Sequence, residues 1–341
     1  MRSFIRPAVL LGLSLLASSS LIVANRSPVA TAADSKGIVA ITVDEAKKDP
    51  DFAIQGEYVG ELGGDDGKQK WGLQVIALGD GKFHAVGYAG GLPGDGWDNS
   101  EKHEVDGSAT DGTATLKGEK GSATIKDGVA KISTPDGKPV GEMKKVERKS
   151  PSMGKQPPTG AVVLFDGKNG DAFTDPKKFI DGLMSQGITS KDKFQDFSLH
   201  LEFLLSYMPA ARGQGRANSG CYMQGRYEVQ ILDSFGLSGE HNECGGIYTI
   251  NKPAVNMCLP PLTWQTYDAD YTAAKYDADK KKTANAKLTV RHNGVLIHEN
   301  VELPKATTAA PVAEGPEPGP IYIQDHGNPI RFRNIWLVEK K

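Results

Sequence analysis

The turns constrain this chain most. Asp80-Gly81, Asp111-Gly112, Asp127-Gly128, Asp136-Gly137 and Asn293-Gly294 separate short apolar runs, and such pairs mark tight hairpins whose central residues take positive φ. No segment holds a helical spacing of apolar residues over ten or more positions. Forty Gly and twenty Pro fit a turn-rich, all-β chain of antiparallel sheets. At 341 residues it is long enough for two units, each with its own core.

Arg2 and Arg6 precede an apolar run from Ala8 to Val23, and Ala30-Thr31-Ala32 follows with small residues. This is the layout of a secretory signal peptide over residues 1–32, so a periplasmic or secreted mature chain is expected from about Ala33. No later stretch reads as a membrane span. Residues 33–146 read as a small antiparallel β domain, with Val43 to Asp51 as a polar connector and a core resting on Tyr58, Trp71, Leu73, Val75, Phe83 and Tyr88. Trp97, on the Gly-rich loop Gly90 to Asp98, either covers that core or stacks on a sugar ring, and the first fits better. Residues 147–160 are charged and Pro-rich, the composition of a linker, and a second domain spans 161–341. A net charge of -2 without a basic stripe gives no case for nucleic acid, so a neutral carbohydrate is the better partner. Three cysteines, Cys221, Cys244 and Cys258, leave at least one thiol unpaired.

The chemistry concentrates between Arg216 and Asp233. Two strand-like runs, Gly220 to Gln224 and Tyr227 to Leu232, flank Gly225-Arg226 as a hairpin turn. In the second run Tyr227, Val229 and Ile231 share one face and Glu228 and Gln230 the other, because strand side chains alternate. A bend at Leu232 returns Asp233 to the side of Glu228. The plain reading is a solvated outer face. Against it, Arg216, Asn218, Arg226, Glu228, Gln230 and Asp233 crowd together donors and acceptors suited to a polyhydroxylated ligand. Elsewhere, Phe197, Leu199, Leu201 and Phe203 alternate with Ser198, His200 and Glu202, which line either a site or a solvated convex face. His241, Cys244 and Cys258 match no firm zinc spacing, and a core-facing Cys244 fits better. Trp264 to Lys282 reads as a polar insertion.

Six ordered motifs occur together: L-F-D-G-K-N from Leu164, R-A-N-S-G-C-Y from Arg216, Y-E-V-Q-I-L-D from Tyr227, C-G-G-I-Y from Cys244, I-Q-D-H-G from Ile323 and F-R-N-I from Phe332. As a set they resemble the 3-keto-disaccharide hydrolase family over about Val162 to Val338. The resemblance implies a concanavalin A-like jelly-roll sandwich acting on 3-keto-glycosides. Glu228, Gln230 and Asp233 also resemble the Glu-x-Asp-x-x-Glu strand of jelly-roll glucanases. Here Gln230 replaces the middle acid, which argues against a retaining mechanism with two matched carboxylates. A C3 ketone acidifies the C2 hydrogen, so a base can expel the C1 substituent by elimination before water adds back. Glu228 and His326 are the expected base and acid, in either order. Arg216, Asn218, Gln230, Asp233, Gln324 and Arg333 are the expected substrate ligands. No cofactor is firmly implied and no metal site is assigned, although Glu228, Asp233 and His326 would suit a divalent cation. His326 also reads as a plain turn residue, and Arg333 as a sheet-edge arginine. The rival to an enzyme is a lectin-like carbohydrate-binding protein on the same fold.

Overall fold

The structure, a computed structural model, describes residues 37–64 and 67–340. The expected signal peptide lies outside the described residues. The expected polar connector is instead two short helices, α1 (Val43–Ala46) and α2 (Pro50–Ile54). Thr42 and Glu45 form a reciprocal capping box on α1, while Asp49 caps α2 with Pro50 in its first turn. Helices this short leave no apolar period to read.

Eight strands follow: β1 (Gly56–Gly64), β2 (Gly67–Gly79), β3 (Lys82–Ala89), β4 (Lys102–Thr110), β5 (Thr113–Gly118), β6 (Gly121–Lys126), β7 (Val129–Ser133) and β8 (Pro139–Val146). Each pairs antiparallel with the next, and β8 pairs with β1 to close a barrel. At Asp80-Gly81, Asp111-Gly112 and Asp127-Gly128 both residues take positive φ, from 47° to 74°, as a two-residue I′ turn requires. At Asp136-Gly137 only Gly137 does, on a longer connection. Tyr58, Val75, Phe83 and Ile125 point inward and pack with Ala46 and Ile54, so the helices close that end. Ile76, Val86 and Tyr88 point outward and join the other core. Trp97 sits at this junction, edge-on to Tyr88 at 5.1 Å, and packs as part of a core.

The remaining strands are β9 (Val162–Phe165), β10 (Phe179–Ile180), β11 (Leu183–Ser185), β12 (Ile188–Thr189), β13 (Phe197–Leu204), β14 (Ser219–Met223), β15 (Tyr227–Ile231), β16 (Trp264–Thr272), β17 (Lys275–Tyr276), β18 (Lys282–Ala284), β19 (Ala286–His292), β20 (Val295–Leu303), β21 (Tyr322–Ile323) and β22 (Arg331–Glu339). The larger sheet has the order β10-β11-β22-β13-β16-β19-β20, with β9 also on β22, and the smaller is β12-β21-β14-β15. Leu199 and Phe203 from one and Val229 and Ile231 from the other share a core, and Tyr267 reaches across to donate to the Gln230 carbonyl at 2.6 Å. Each such large side chain contributes roughly 1.5–3 kcal/mol by its burial. The fold is therefore all-β: a jelly-roll type sandwich preceded by a small antiparallel barrel.

Trp264–Thr272, expected within a polar insertion, is a central strand whose Tyr267, Ala269 and Tyr271 point inward. Residues 147–160 run across the outer face of the larger sheet. Ser150 Oγ lies 2.6 Å from Thr266 Oγ1, the Gly154 N–H donates to Glu202 at 2.6 Å, and the Lys155 carbonyl accepts from Trp336 Nε1 at 3.3 Å. Under this segment His200 and Glu202 are fully buried, so they are neither solvated nor part of a cleft. Burial opposes charge on Glu202, but hydrogen bonds from His200, Asn334, Arg333 and Gly154 outweigh it and hold the carboxyl at about 2.

Candidate active site

The central hairpin has a three-residue turn, Gln224 to Arg226, rather than the expected two. Gln224 and Gly225 both take positive φ, 53° and 64°, and Arg226 N–H donates to the Met223 carbonyl at 3.0 Å. The extra residue shifts the register by one. Tyr222 therefore stands opposite Glu228, and Gly220 opposite Gln230, all on the polar face of the smaller sheet. On the neighbouring strand Tyr322 lies opposite Tyr222, and their ring centroids are 5.3 Å apart. Gln324, just beyond β21, donates to Tyr222 Oη at 3.2 Å.

Glu228 is the centre of this face. Its side chain is nearly fully buried, and Tyr222 Oη donates to Oε2 at 2.7 Å. Burial pushes the carboxyl up to about 8 despite the opposing Tyr222 bond, so Glu228 keeps its proton at neutral pH. Tyr222 is itself pushed far above the ordinary phenol range, first by burial and then by the Glu228 charge. The Tyr248 hydroxyl is raised for the same reasons, and its N–H bonds the Glu228 carbonyl at 3.1 Å.

The Gln230 amide sits 2.9 Å from Glu228 Oε1. When Glu228 is protonated, its O–H can donate to the amide oxygen while Nε2 donates to Gln214 Oε1 at 3.0 Å and Asn218 Oδ1 at 3.3 Å. When Glu228 is ionised, the amide must turn its nitrogen to Oε1, where the Ser219 carbonyl accepts as well at 3.1 Å. Because the Ser219 carbonyl can only accept, it favours the amide nitrogen on this side whether or not Glu228 carries a proton.

Of the expected site residues, the structure gathers Glu228, Gln230, Asn218 and Gln324 into one hydrogen-bonded group. His326 is half-buried on the loop two residues beyond Gln324, and no hydrogen bond links it to Glu228. Arg216 and Asp233 do not join them. Their ion pair, 2.6 Å and buried, faces the barrel, where Arg216 also donates to the carbonyls of Ala77, Pro209 and Ala211. The strand stops at Ile231, and Asp233 turns to the arginine instead of back to Glu228. The cation set of Glu228, Asp233 and His326 is therefore not assembled, and among the described residues no three His, Cys, Asp or Glu side chains converge on a metal position. Arg226 anchors the Pro-rich loop through Ala313 and Glu317 carbonyls. Arg333 lies on the other sheet, bonded to Glu202 at 2.7 Å and stacked 3.9 Å over Trp264. Cys221, Cys244 and Cys258 are all buried free thiols.

Two consequences are measurable. Arg216→Ala strands a buried carboxylate and should cost about 3–5 kcal/mol in unfolding free energy, read by denaturant titration. A cost below 1 kcal/mol would mean that the pair does not hold the barrel junction. Arg333→Ala removes the bond to Glu202 and the stack on Trp264, so it should lower the melting temperature, read by thermal unfolding. An unchanged melting temperature would mean that Arg333 does not brace this outer face.

The profile of the 3-keto-alpha-glucoside-1,2-lyase-like domain matches residues 160–338, more than half of the chain. The chain belongs to this family. Two solved structures from Parabacteroides distasonis, both provisionally described as glycosyl hydrolases, are similar to it. One is 33% identical, over 54% of this chain and 85% of its own, with a TM-score of 0.49. The other is 18% identical, over 53% and 94%, with a TM-score of 0.41. Neither overlay is close enough to transfer a residue. Curated proteins give no match. Tyr222, Tyr248, Tyr322, Gln214 and Gly220 carry no role in the sequence reading. Gly220 and Tyr222 stand inside the R-A-N-S-G-C-Y motif and Tyr248 inside C-G-G-I-Y, and a three-residue turn sets Tyr222 and Gly220 against Glu228 and Gln230.

Proposed function

We propose that the family domain cleaves the glycosidic bond of 3-keto-glycosides by elimination and hydration, and that the sequence leader exports it. The carrying observation is Glu228, a buried carboxyl pushed up to about 8 and hydrogen-bonded within a polar sheet face. A group poised near the working pH is what proton transfer needs. In this reading a base removes the C2 hydrogen, and His326 on the adjoining loop is assigned that role. The electron pair forms the C1–C2 double bond as the C1–O bond breaks, with the C3 ketone oxygen carrying charge in between. Glu228 donates its proton to the leaving oxygen. Water then adds across the double bond, its hydroxyl to C1 and its proton to C2. Gln324 and Tyr322, both half-buried beside Glu228, supply a polar contact and an aromatic surface to the sugar, while the buried Gln230 and Asn218 position the Glu228 carboxyl.

That aromatic surface also suits a carbohydrate-binding protein without turnover. The test is product release from a 3-keto-glucoside and from its unoxidised parent. Cleavage of the keto compound alone is expected. Binding of both with turnover of neither would sink the enzyme reading and leave the lectin.

No helix among the described residues is long and apolar enough to cross a membrane.

A further inference from the structure

The barrel has its own cavity, built from different residues and independent of the chemistry at Glu228. Its two ends are filled differently. One is packed solid by Tyr58, Phe83 and Ile125 under the two helices. The other opens as a cup of about 1250 Å³ whose apolar wall is Leu62, Trp71, Leu73, Val105, Ile132 and Met143. An eight-stranded barrel is just wide enough either to fill with side chains or to hold one small ligand. A barrel serving only as a spacer would be packed at both ends, because unfilled interior costs stability.

Here the wall is thinned by small residues at the positions that matter. Gly87 and Gly118 line the cup. Trp71 Cζ3 lies 3.8 Å from where a Gly87 Cβ would sit, so the indole spreads over bare backbone. Trp71 and His103 meet across this glycine, ring centroids 5.2 Å apart. Burial and then Lys120 hold His103 below the ordinary imidazole range, which leaves it neutral at pH 7. Among the described charged residues around the cup, Lys120 is paired with Glu101 at 2.7 Å, Glu104 and Asp106 flank His84 on the outer face, and Lys102 lies there over Tyr88 and Trp97. These pairings give the cup no strong attraction to an ion. An apolar wall with one large aromatic plate takes an uncharged ring system.

We propose that the open end of the barrel is a binding site for a neutral small molecule with an aromatic ring body, held against Trp71. The probe is N-phenyl-1-naphthylamine, titrated by fluorescence into the full chain. Saturable one-to-one binding is expected, weakened at least ten-fold by Trp71→Ala and no more than about three-fold by Trp71→Phe. Ile132→Glu, which puts a charge on the opposite wall, should also weaken it ten-fold. The anionic 8-anilinonaphthalene-1-sulfonate should bind at least ten-fold more weakly than the neutral probe. Near-ultraviolet circular dichroism confirms folding of each variant, and if Trp71→Ala does not fold, Ile132→Glu carries the test. Absence of saturable binding to wild type would overturn the proposal. So would unchanged affinity in every folded wall variant, or equal affinity for the anion.

Discussion

Glu228→Gln is expected to cut turnover of a 3-keto-glucoside by about 10²–10⁴-fold while the chain still folds. Glutamine keeps the shape and can still meet Tyr222 and Gln230, so the loss isolates the proton. The wild-type pH profile should fall above about 8 as Glu228 ionises, because its proposed role requires the protonated form. The residual activity of the variant should lack that limb. Stability gives an independent reading. Burial places the folded carboxyl at about 8 against an ordinary value near 4.5, so the fold favours the protonated form. The stability contributed by the group is fully present below about 4.5 and is lost as pH rises through about 8. Glu228→Gln removes this dependence. Relative to wild type, the variant should therefore gain on the order of 3–5 kcal/mol between pH 4 and pH 9, measured by denaturant titration at both. Equal pH dependence of stability in the two proteins would show that Glu228 ionises like an exposed acid, and the proposed acid role would fall with it.

The all-β class was legible because turn chemistry is local. An Asp-Gly or Asn-Gly pair fixes its own dihedrals, and Asp80, Asp111, Asp127 and Asn293 all take the positive φ that the sequence demands. Glu228 and Gln230 were legible because their burial partners Tyr227, Val229 and Ile231 alternate with them. What failed was non-local. Arg216 and Asp233 look like sugar ligands in a polar motif, but the barrel supplies the Ala77 carbonyl that draws the arginine away. Glu202 and His200 look solvated because residues 147–160, which cover them, have linker composition. Trp264–Thr272 hid its period of two, Tyr-x-Ala-x-Tyr, among aspartates that the outer face of the sheet tolerates. Tyr222 was missed through a one-residue error in turn length, and in a strand that error exchanges the faces.

Gly220→Ala should separate the fold from the site. Gly220 is a strand residue with no unusual φ, and replacing glycine by alanine inside a strand normally favours folding by roughly 0.5–1 kcal/mol. The only obstacle is the site itself: an added Cβ would lie 2.0 Å from Glu228 Oε1 and 2.7 Å from its Cδ. A glutamate side chain can swing aside, so the strand survives and the carboxyl moves. The move breaks the 2.7 Å bond from Tyr222 and the contact with Gln230. Unfolding free energy should stay within about 2 kcal/mol of wild type, while turnover falls by 10² or more, since a proton donor displaced by about 1 Å loses that much. The double variant Gly220→Ala/Glu228→Gln should be no slower than Glu228→Gln alone, because the two changes disable the same proton. Additive losses would mean that Gly220 acts through some other contact, and wild-type turnover in Gly220→Ala would show that the position of the Glu228 carboxyl does not govern the reaction.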